Sequence, residues 1–400
     1  MIIAGEASGD MRAAGLARAL KQLDSSVRLS GIGGTHMRDA GVECFTDITE
    51  LAVIGIAEVI KNLRRIKKVF DQALQQIDTT RPDAVILVDY PGFNLRLARE
   101  IRKLKSCHSR ESGNPLKIIY YISPQVWAWK EARVKAIKAL VDHMIVLFPF
   151  EQETYAKYAM TVDYVGHPLV DEIIVNHKPK EILESIGLSQ NKTTIGLMPG
   201  SRAKEVERHL PCMLKAAQKL FEKSHKCQFL LLQASSIPLQ LIESTLAKFQ
   251  YKASICHCEE QSDEAISLRN LPVKIYNGPT YGGINAMDGA IVASGTATLE
   301  TALLAKPMVI IYKTSWLTYA IAKAVIKIPY IGLVNIVAGK KVVQELIQNE
   351  ANATNIANAM QAALSDPEIV KELAAVKTSL GAPGASLRAA RIVIDAVADG

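Results

Sequence analysis

Short apolar runs rich in β-branched residues alternate along this chain with longer segments in which apolar positions recur at helical spacing. The runs predict strands at 1–4, 27–32, 84–88, 117–122, 143–147 and 162–165. A second series follows at 193–198, 228–232, 273–276, 289–293 and 307–312. Helical patterns fall between most of them, so the expectation is parallel sheets with crossover helices, an α/β protein. Two series of strands predict two doubly wound domains in tandem. The polar stretch near 168–190, which carries two prolines, marks the break between them. From about 350 onward the pattern is helical only and ends in a helix at about 384–398.

Some stretches fit neither period. MIIA gives only four residues before Gly5, short of the usual ~5–6 for a strand, so the natural start is expected upstream or the end is trimmed. CHSRESGNP (107–115) and ICHCEEQSDEAISLRN (255–270) are polar and mixed in charge. They resemble translated palindromic repeat elements and read as surface inserts, which exposed loops tolerate.

Length and composition narrow the class. Four hundred residues exceed what a single core supports, so two or three domains are expected. An apolar share of 49% with 22% charged residues describes an ordinary soluble globular chain. No apolar run approaches the ~18–20 residues that span a bilayer, and no signal peptide precedes the first strand, so a cytoplasmic location is expected. Six cysteines over this length read as reduced thiols rather than a disulfide framework. Cys256 and Cys258 flank His257, a spacing that suits neither a zinc ribbon nor a finger. A net charge of +7 favours an anionic partner: a nucleotide, a phospholipid surface or nucleic acid.

The candidate chemistry sits where apolar runs stop. GEASGD (5–10) follows the first strand and leads into a helical segment. Its glycines permit a tight turn, and Ser8 or Asp10 is expected to cap the helix. MPGSRAKEVERHLP (198–211) has the same layout in the second half. There the backbone N–H groups around Gly200 and Ser201, with the Arg202 guanidinium, suit a diphosphate. In VASGTATLETALLAKPMVI (292–310) a strand ends at Ser294, Gly295 and Thr296, and Glu300 falls one turn into a helix. Small residues let a phosphate approach, and Glu300 is placed to accept hydrogen bonds from ribose hydroxyls. The plainer reading of Glu300 is a first-turn acid favoured by the helix dipole. DAVILVDYPGFN (83–94) ends an apolar run on Asp89, which reads either as turn chemistry or as a base at a sheet edge.

Two further stretches stay open. In 55–70, Ile56, Val59, Ile60, Leu63, Ile66 and Phe70 share one helical face, and Lys61, Arg64, Arg65 and Lys68 the other. That is either a helix on an anionic membrane or a helix packed on its own sheet with a solvated basic face. In SPQVWAWK (123–130), Trp127 and Trp129 share a face if the segment is extended, for stacking on a base or sugar or, as is commoner for tryptophan, for core packing. His143 and His167 are assigned no catalytic role.

Taken in order, GEASGD, ELAVIGIAEVI, VDYPGFN, YYISPQVWAWK, LFPFE, YVGHP, MPGSRAKEVE, ASGTATLE and NIVAGKKVVQELIQ resemble the lipid-A-disaccharide synthases, bacterial glycosyltransferases of the GT-B architecture. The likeness runs through nearly the whole chain. It implies two Rossmann-like domains facing a cleft: an acceptor domain over 1–170, a UDP-sugar donor domain over 171–383, and a C-terminal helix from about 384 crossing back to the first. It also implies an inverting transfer from UDP-2,3-diacylglucosamine to 2,3-diacylglucosamine 1-phosphate, with no metal or other cofactor. Under that resemblance Asp89 is the leading base, and Glu6 and Ser8 line the acceptor side. Gly200, Ser201 and Arg202 meet the diphosphate, with Ser294, Gly295 and Thr296 near the phosphates and Glu300 on the ribose. Asn335 and Glu345 are weaker donor-side candidates. An acylated substrate sits in a membrane, so the resemblance favours contact of Ile56, Val59, Ile60, Leu63, Arg64, Arg65 and Lys68 with the anionic inner leaflet. It implies no nucleic-acid partner and is compatible with a homodimer. Met11 and Arg12 stand where apolar residues are usual in this family, Ala13 where glycine is common, and Gly92 where some members have aspartate.

Rival readings are another UDP-sugar enzyme of the same architecture or a non-catalytic membrane module. The muramyl-pathway N-acetylglucosaminyltransferase is weakened by the lack of an early GGTGGH-type loop. A UDP-sugar epimerase is weakened by the basic amphipathic segment.

Overall fold

A computed structural model describes residues 1–48, 63–104, 116–129, 131, 133–255, 271–325 and 328–398. The expected insert at 107–115 and residues 256–270 of the one expected at 255–270 lie outside the described residues, as do Ile56, Val59 and Ile60; Ile255 ends the helix Leu239–Ile255. The chain divides into two compact units: Met1–Asp171 with Leu380–Gly400, and Glu172–Ser379.

In the first unit β1 (Ile2–Ala4), β2 (Ser30–Gly33), β3 (Glu43–Asp47), β4 (Ala84–Val88), β5 (Lys117–Tyr121), β6 (His143–Val146) and β7 (Asp163–Tyr164) form one sheet. Their order is β3-β2-β1-β4-β5-β6-β7, and the paired strands are parallel. In the second unit β8 (Thr193–Met198), β9 (Cys227–Leu232), β10 (Val273–Tyr276), β11 (Gly289–Ala293), β12 (Met308–Tyr312) and β13 (Gln344–Ile347) run parallel in the order β10-β9-β8-β11-β12-β13. Central strands such as AVILV of β4 and GAIVA of β11 are buried at every position. Helices cover both faces of such a sheet, so its middle strands are apolar without alternation.

Two strands, β3 and β13, were not expected. Both lie at sheet edges, and their sequences, ECFTD and QELI, are half polar. An edge strand is covered on fewer sides, so no apolar run announces it.

The segment expected at 55–70 enters the described residues as the helix Leu63–Thr80. Val69, Ala73 and Ile77 are buried, with Ile66, Phe70 and Leu74 packed beside them in the core of the first unit. Phe70 meets Phe93 edge-on at 5.4 Å between centroids. Arg64, Arg65, Lys67 and Lys68 are exposed, and Leu63 is 52% exposed. From Ile66 onward the apolar face therefore serves the protein's own core.

The C-terminal helix Ala385–Ala398 belongs to the first unit. Gly384 and Ala385 donate their backbone N–H groups to the Asp171 carboxylate at 2.6 and 3.0 Å, which caps that helix. Arg388 Nε donates to the Val165 carbonyl at 2.8 Å. A Cβ on Gly15 would stand 3.0 Å from Ser386 Oγ, so glycine lets this helix approach Ala7–Leu23 closely.

Candidate active site

Each sheet reverses its winding once. In the first the reversal falls between β1 and β4, in the second between β8 and β11. The loops that leave neighbouring strands in opposite directions at such a point open a crevice at the carboxyl edge, where α/β proteins bind ligands. Ala4 is level with Val88, so GEASGD and DYPGFN emerge side by side. Met198 is level with Val292, so MPGSR and ASGTATLE do the same. Each of these four motifs stands at one of the two reversals.

At the first reversal the helix Ala7–Leu23 starts directly after Glu6, its N-cap residue, which makes no side-chain cap. Ser8 and Asp10 thus fall inside the helix, and neither caps it as expected. Ser8 is exposed beside Glu6, whereas Asp10 is buried. Its carboxylate accepts from the N–H groups of Gly34, His36 and Met37 at 2.6, 3.1 and 3.2 Å, so it caps the neighbouring helix Thr35–Asp39. A Cβ on Gly5 would come within 2.2 Å of the Tyr90 ring. Glycine is required there because that ring lies across the end of β1.

Asp89 sits one residue past β4, half-buried. Burial, with the nearby Glu6 carboxylate adding to it, pushes its carboxyl up to about 6 against only a small opposing effect of the Tyr90 N–H. Such a group is mostly ionised at neutral pH yet basic enough to take a proton. Its backbone is left-handed, with φ +45° at both Asp89 and Tyr90. Non-glycine residues enter that region at a cost of about 1–2 kcal/mol each, and such strain concentrates at functional sites. Two side chains meet the resulting turn. Tyr120 Oη donates to the Asp89 carbonyl at 2.6 Å, and Asn94 Nδ2 donates to the same oxygen at 2.7 Å.

At the second reversal Gly200 has φ +124°, and a Cβ there would strike the Glu205 side chain at 2.5 Å. Arg202 is the N-cap residue of the helix Ala203–Lys223. Its side chain is 60% exposed, and its guanidinium reaches Glu205 Oε1 at 3.3 Å, while the Ser201 N–H donates to Glu205 Oε2 at 3.1 Å. Glu205 therefore occupies the donors an incoming anion would use. The pairing is exposed on the arginine side and weak. On β11's side the space above Gly295 is open, with nothing within 4 Å of a Cβ there. Gly295 and Thr296 are exposed, and Ser294 Oγ donates to the Ile331 carbonyl at 3.2 Å. Glu300 is half-buried one turn into the helix Ala297–Leu303.

Asn335 and Glu345 turn inward. Asn335 is fully buried; Val342 and Val343 donate N–H groups to its Oδ1 at 2.8 and 3.0 Å, and its Nδ2 serves Val343 O and Glu345 Oε1. Glu345 accepts from the N–H groups of Ile331 and Gly332 at 2.9 and 3.0 Å. Together they fix the loop that meets Ser294.

Several residues of this architecture carried no signal of their own. His209 is buried in the middle of a helical pattern; its ring joins the Pro199 carbonyl at Nδ1 (2.9 Å) and accepts the Lys313 N–H at Nε2 (3.0 Å). Those partners set the Nδ1–H tautomer, and burial lowers its basicity, so it is a neutral strut under the MPGSR loop. Glu151 of LFPFE is buried, accepts from the N–H groups of Leu147 and Phe148 at 3.2 and 3.0 Å, and is pushed up to about 7 by burial. Trp127 and Trp129 prove helical, in Val126–Trp129. The segment is thus not extended, the condition on which a shared face depends. Trp127 is half-buried and edge-on to Phe150 at 5.2 Å. Burial, then Arg12, lowers His167 to about 3; its Nδ1 accepts the Leu169 N–H and its own N–H donates to Leu380, a structural duty. Among the described residues no group of three or more His, Cys, Asp or Glu side chains is gathered to hold a metal.

A family model described as Lipid-A-disaccharide synthetase matches residues 1–381. The chain is 42% identical over 394 residues to a Lipid-A-disaccharide synthase of Syntrophus aciditrophicus (strain SB), covering 98% of this chain and 95% of that one. Among solved structures, a UDP-GlcNAc 2-epimerase from Neisseria meningitidis bound to UDP-GlcNAc superposes with a TM-score of 0.62 at 10% identity, covering 100% of this chain and 99% of that one. The glycotransferase of kitacinnamycin does so at 0.61 with 13% identity, covering 99% and 98%. At such identities these two likenesses speak for the fold, two Rossmann-like units of the GT-B kind.

Proposed function

This chain belongs to the lipid-A-disaccharide synthase family, and on that footing we propose how its two sheet edges divide the transfer. The protein is a glycosyltransferase that forms the lipid A disaccharide in lipid A biosynthesis. In our reading the donor is UDP-2,3-diacylglucosamine and the acceptor 2,3-diacylglucosamine 1-phosphate. The acceptor 6-hydroxyl attacks the donor's anomeric carbon. Asp89 takes the hydroxyl proton, the bond from that carbon to the diphosphate breaks, and UDP leaves with the electron pair. Attack from the face opposite the leaving group inverts the anomeric centre.

The observation that carries this reading is Asp89 itself, a partly desolvated carboxylate pushed up to about 6 at the winding reversal of the first sheet. Glu6 and Ser8 flank it on the acceptor side. The departing diphosphate is met by Arg202 and by the N–H groups of Gly200 and Ser201, with Ser294, Gly295 and Thr296 closing its other side. Fixed donors of this kind stabilise charge as it develops, so the reaction proceeds without a metal ion. Arg202 must first release Glu205. Glu300 holds the ribose, while Asn335 and Glu345 support the loop beside Ser294.

Among the described residues no helix is long and apolar enough to cross a membrane. The acylated substrates reside in one, so we assign leaflet contact to the start of the basic helix, where Leu63, Arg64, Arg65 and Lys68 are exposed. Replacing Arg64, Arg65 and Lys68 by glutamate is expected to weaken binding to anionic vesicles, each lost cation being worth about 1 kcal/mol near such a surface. Undiminished binding would remove the assignment.

The direct test supplies purified protein with both acylated sugars in detergent micelles containing EDTA. One UDP is expected per disaccharide formed. A folded sample that binds UDP but makes no disaccharide would overturn the reading.

A further inference from the structure

Asp89 and Tyr90 both hold φ +45°, a region that L-residues other than Asn and Asp seldom enter. Consecutive left-handed residues relax unless their surroundings over-determine them. Here both sides of the Asp89 backbone are tied. Its N–H donates to the Tyr121 carbonyl at 3.0 Å, the last rung between β4 and β5. Its carbonyl accepts from Tyr120 Oη at 2.6 Å and from Asn94 Nδ2 at 2.7 Å. Asn94 Nδ2 also reaches the Val88 carbonyl at 3.1 Å, so one carboxamide spans both carbonyls of the turn.

Neither donor is accounted for by packing. Tyr120 is fully buried in the core of the first unit, where a phenylalanine would fill the same space; its hydroxyl donates to this carbonyl and also meets the Asn94 side chain. Burial holds the phenol well above its ordinary range, so it remains a donor. Asn94 is likewise fully buried, in the first turn of the helix Pro91–Ile101. A buried carboxamide is costly unless it is bonded; its nitrogen bonds both carbonyls of this turn, and its side chain also bonds that of Tyr120.

We propose that Tyr120 and Asn94 are positioning residues of the transfer reaction: by clamping the Asp89 carbonyl they hold the left-handed turn that presents the Asp89 carboxylate at the sheet edge. This rests on the reading of Asp89 as the base. Without the clamp the turn relaxes, and a carboxylate displaced by ~1 Å loses on the order of 100-fold in rate.

The test uses the full chain with Tyr120→Phe and Asn94→Ala, each alone and each combined with Asp89→Asn. Turnover is expected to fall roughly 10- to 100-fold, while donor KM and the melting shift given by UDP hold within about twofold. The acid limb of the pH–rate profile is expected to move, which a change confined to stability would not cause. In the Asp89→Asn background neither substitution should lower the residual rate further, because residues acting through one group are not additive. Wild-type turnover and acid limb in Tyr120→Phe, or a further loss in the Asp89→Asn background, would overturn the proposal. Should Asn94→Ala fail to fold, Tyr120→Phe decides alone. Full activity of Asp89→Asn would instead defeat the base assignment.

Discussion

The two winding reversals occupy equivalent places in their sheets and carry opposite chemistry. Between β1 and β4 stand two carboxylates, Glu6 and Asp89, one of them raised to about 6 by burial. Between β8 and β11 stand an exposed guanidinium, Arg202, a left-handed glycine, Gly200, and open space above Gly295. Parallel strands supply the same slot in both units. In the proposed reading, the residues just past the strand ends decide whether the slot takes a proton or holds an anion. The stiffness differs too. Asp89 is clamped by two buried side chains, whereas Arg202 rests on Glu205, a surface pair that an incoming diphosphate can displace.

The largest effect that separates the two sites is on turnover. Asp89→Asn is expected to lower it about 10²–10⁴-fold, the usual worth of a general base, with UDP affinity unchanged in calorimetry. Arg202→Ala should do the converse, weakening UDP binding by about 10–100-fold for the loss of a charge-assisted bond worth about 1.5–3 kcal/mol. If both variants lost the same property, the division of labour would be wrong.

The pH responses sharpen the contrast. Turnover should fall about tenfold per pH unit below about 6, as the Asp89 carboxyl protonates. Stability moves the other way. A carboxyl raised from its ordinary 3.8 to about 6 on folding contributes stability that is fully present below 3.8 and lost as pH rises through 6. Asp89→Asn should therefore stabilise the fold at pH 7.5 by on the order of 1–3 kcal/mol with solvent screening allowed for, read as a higher melting temperature. The gain should shrink at pH 4. Asparagine also tolerates the left-handed turn. A variant less stable than the parent at pH 7.5 would contradict the burial argument.

The smallest effect concerns the second site. His209→Ala leaves the Pro199 carbonyl and Lys313 N–H without their partner, a cost of about 1–3 kcal/mol. Its melting temperature should drop and UDP affinity weaken by a few-fold, while the acid limb set by Asp89 stays in place. A shifted limb would show that the two sites are not separable in this way.

Much of this was legible from residue order. The central strands announced themselves because burial on both faces demands unbroken apolar runs, and the motifs stood where those runs ended. The edge strands β3 and β13 did not, being half polar. The helix Leu63–Thr80 showed its amphipathic period, but which surface its apolar face meets depends on a sheet assembled from distant segments. Asp10 read as a cap for its own helix, and only the placement of β2's loop beside β1 turned it to Gly34, His36 and Met37. His209 gave no signal, since a histidine inside a helical pattern says nothing of the Pro199 and Lys313 groups it joins.

By itself, then, the sequence determined two α/β units, the strand ends that bear the chemistry and, through the order of its motifs, the family. Those properties follow from local period and local turn residues. The tertiary structure alone decided that β1 lies against β4 and β8 against β11, because pairing across 80 or more residues is settled by burial and winding rather than by any neighbour in the chain. The β1–β4 pairing brings Glu6 to Asp89, and the β4–β5 pairing brings Tyr120 to the carbonyl of a turn that DAVILVDYPGFN could only suggest. The raised carboxyl of Asp89 is a consequence of that assembly, since desolvation is a property of the packed sheet edge and not of the residue.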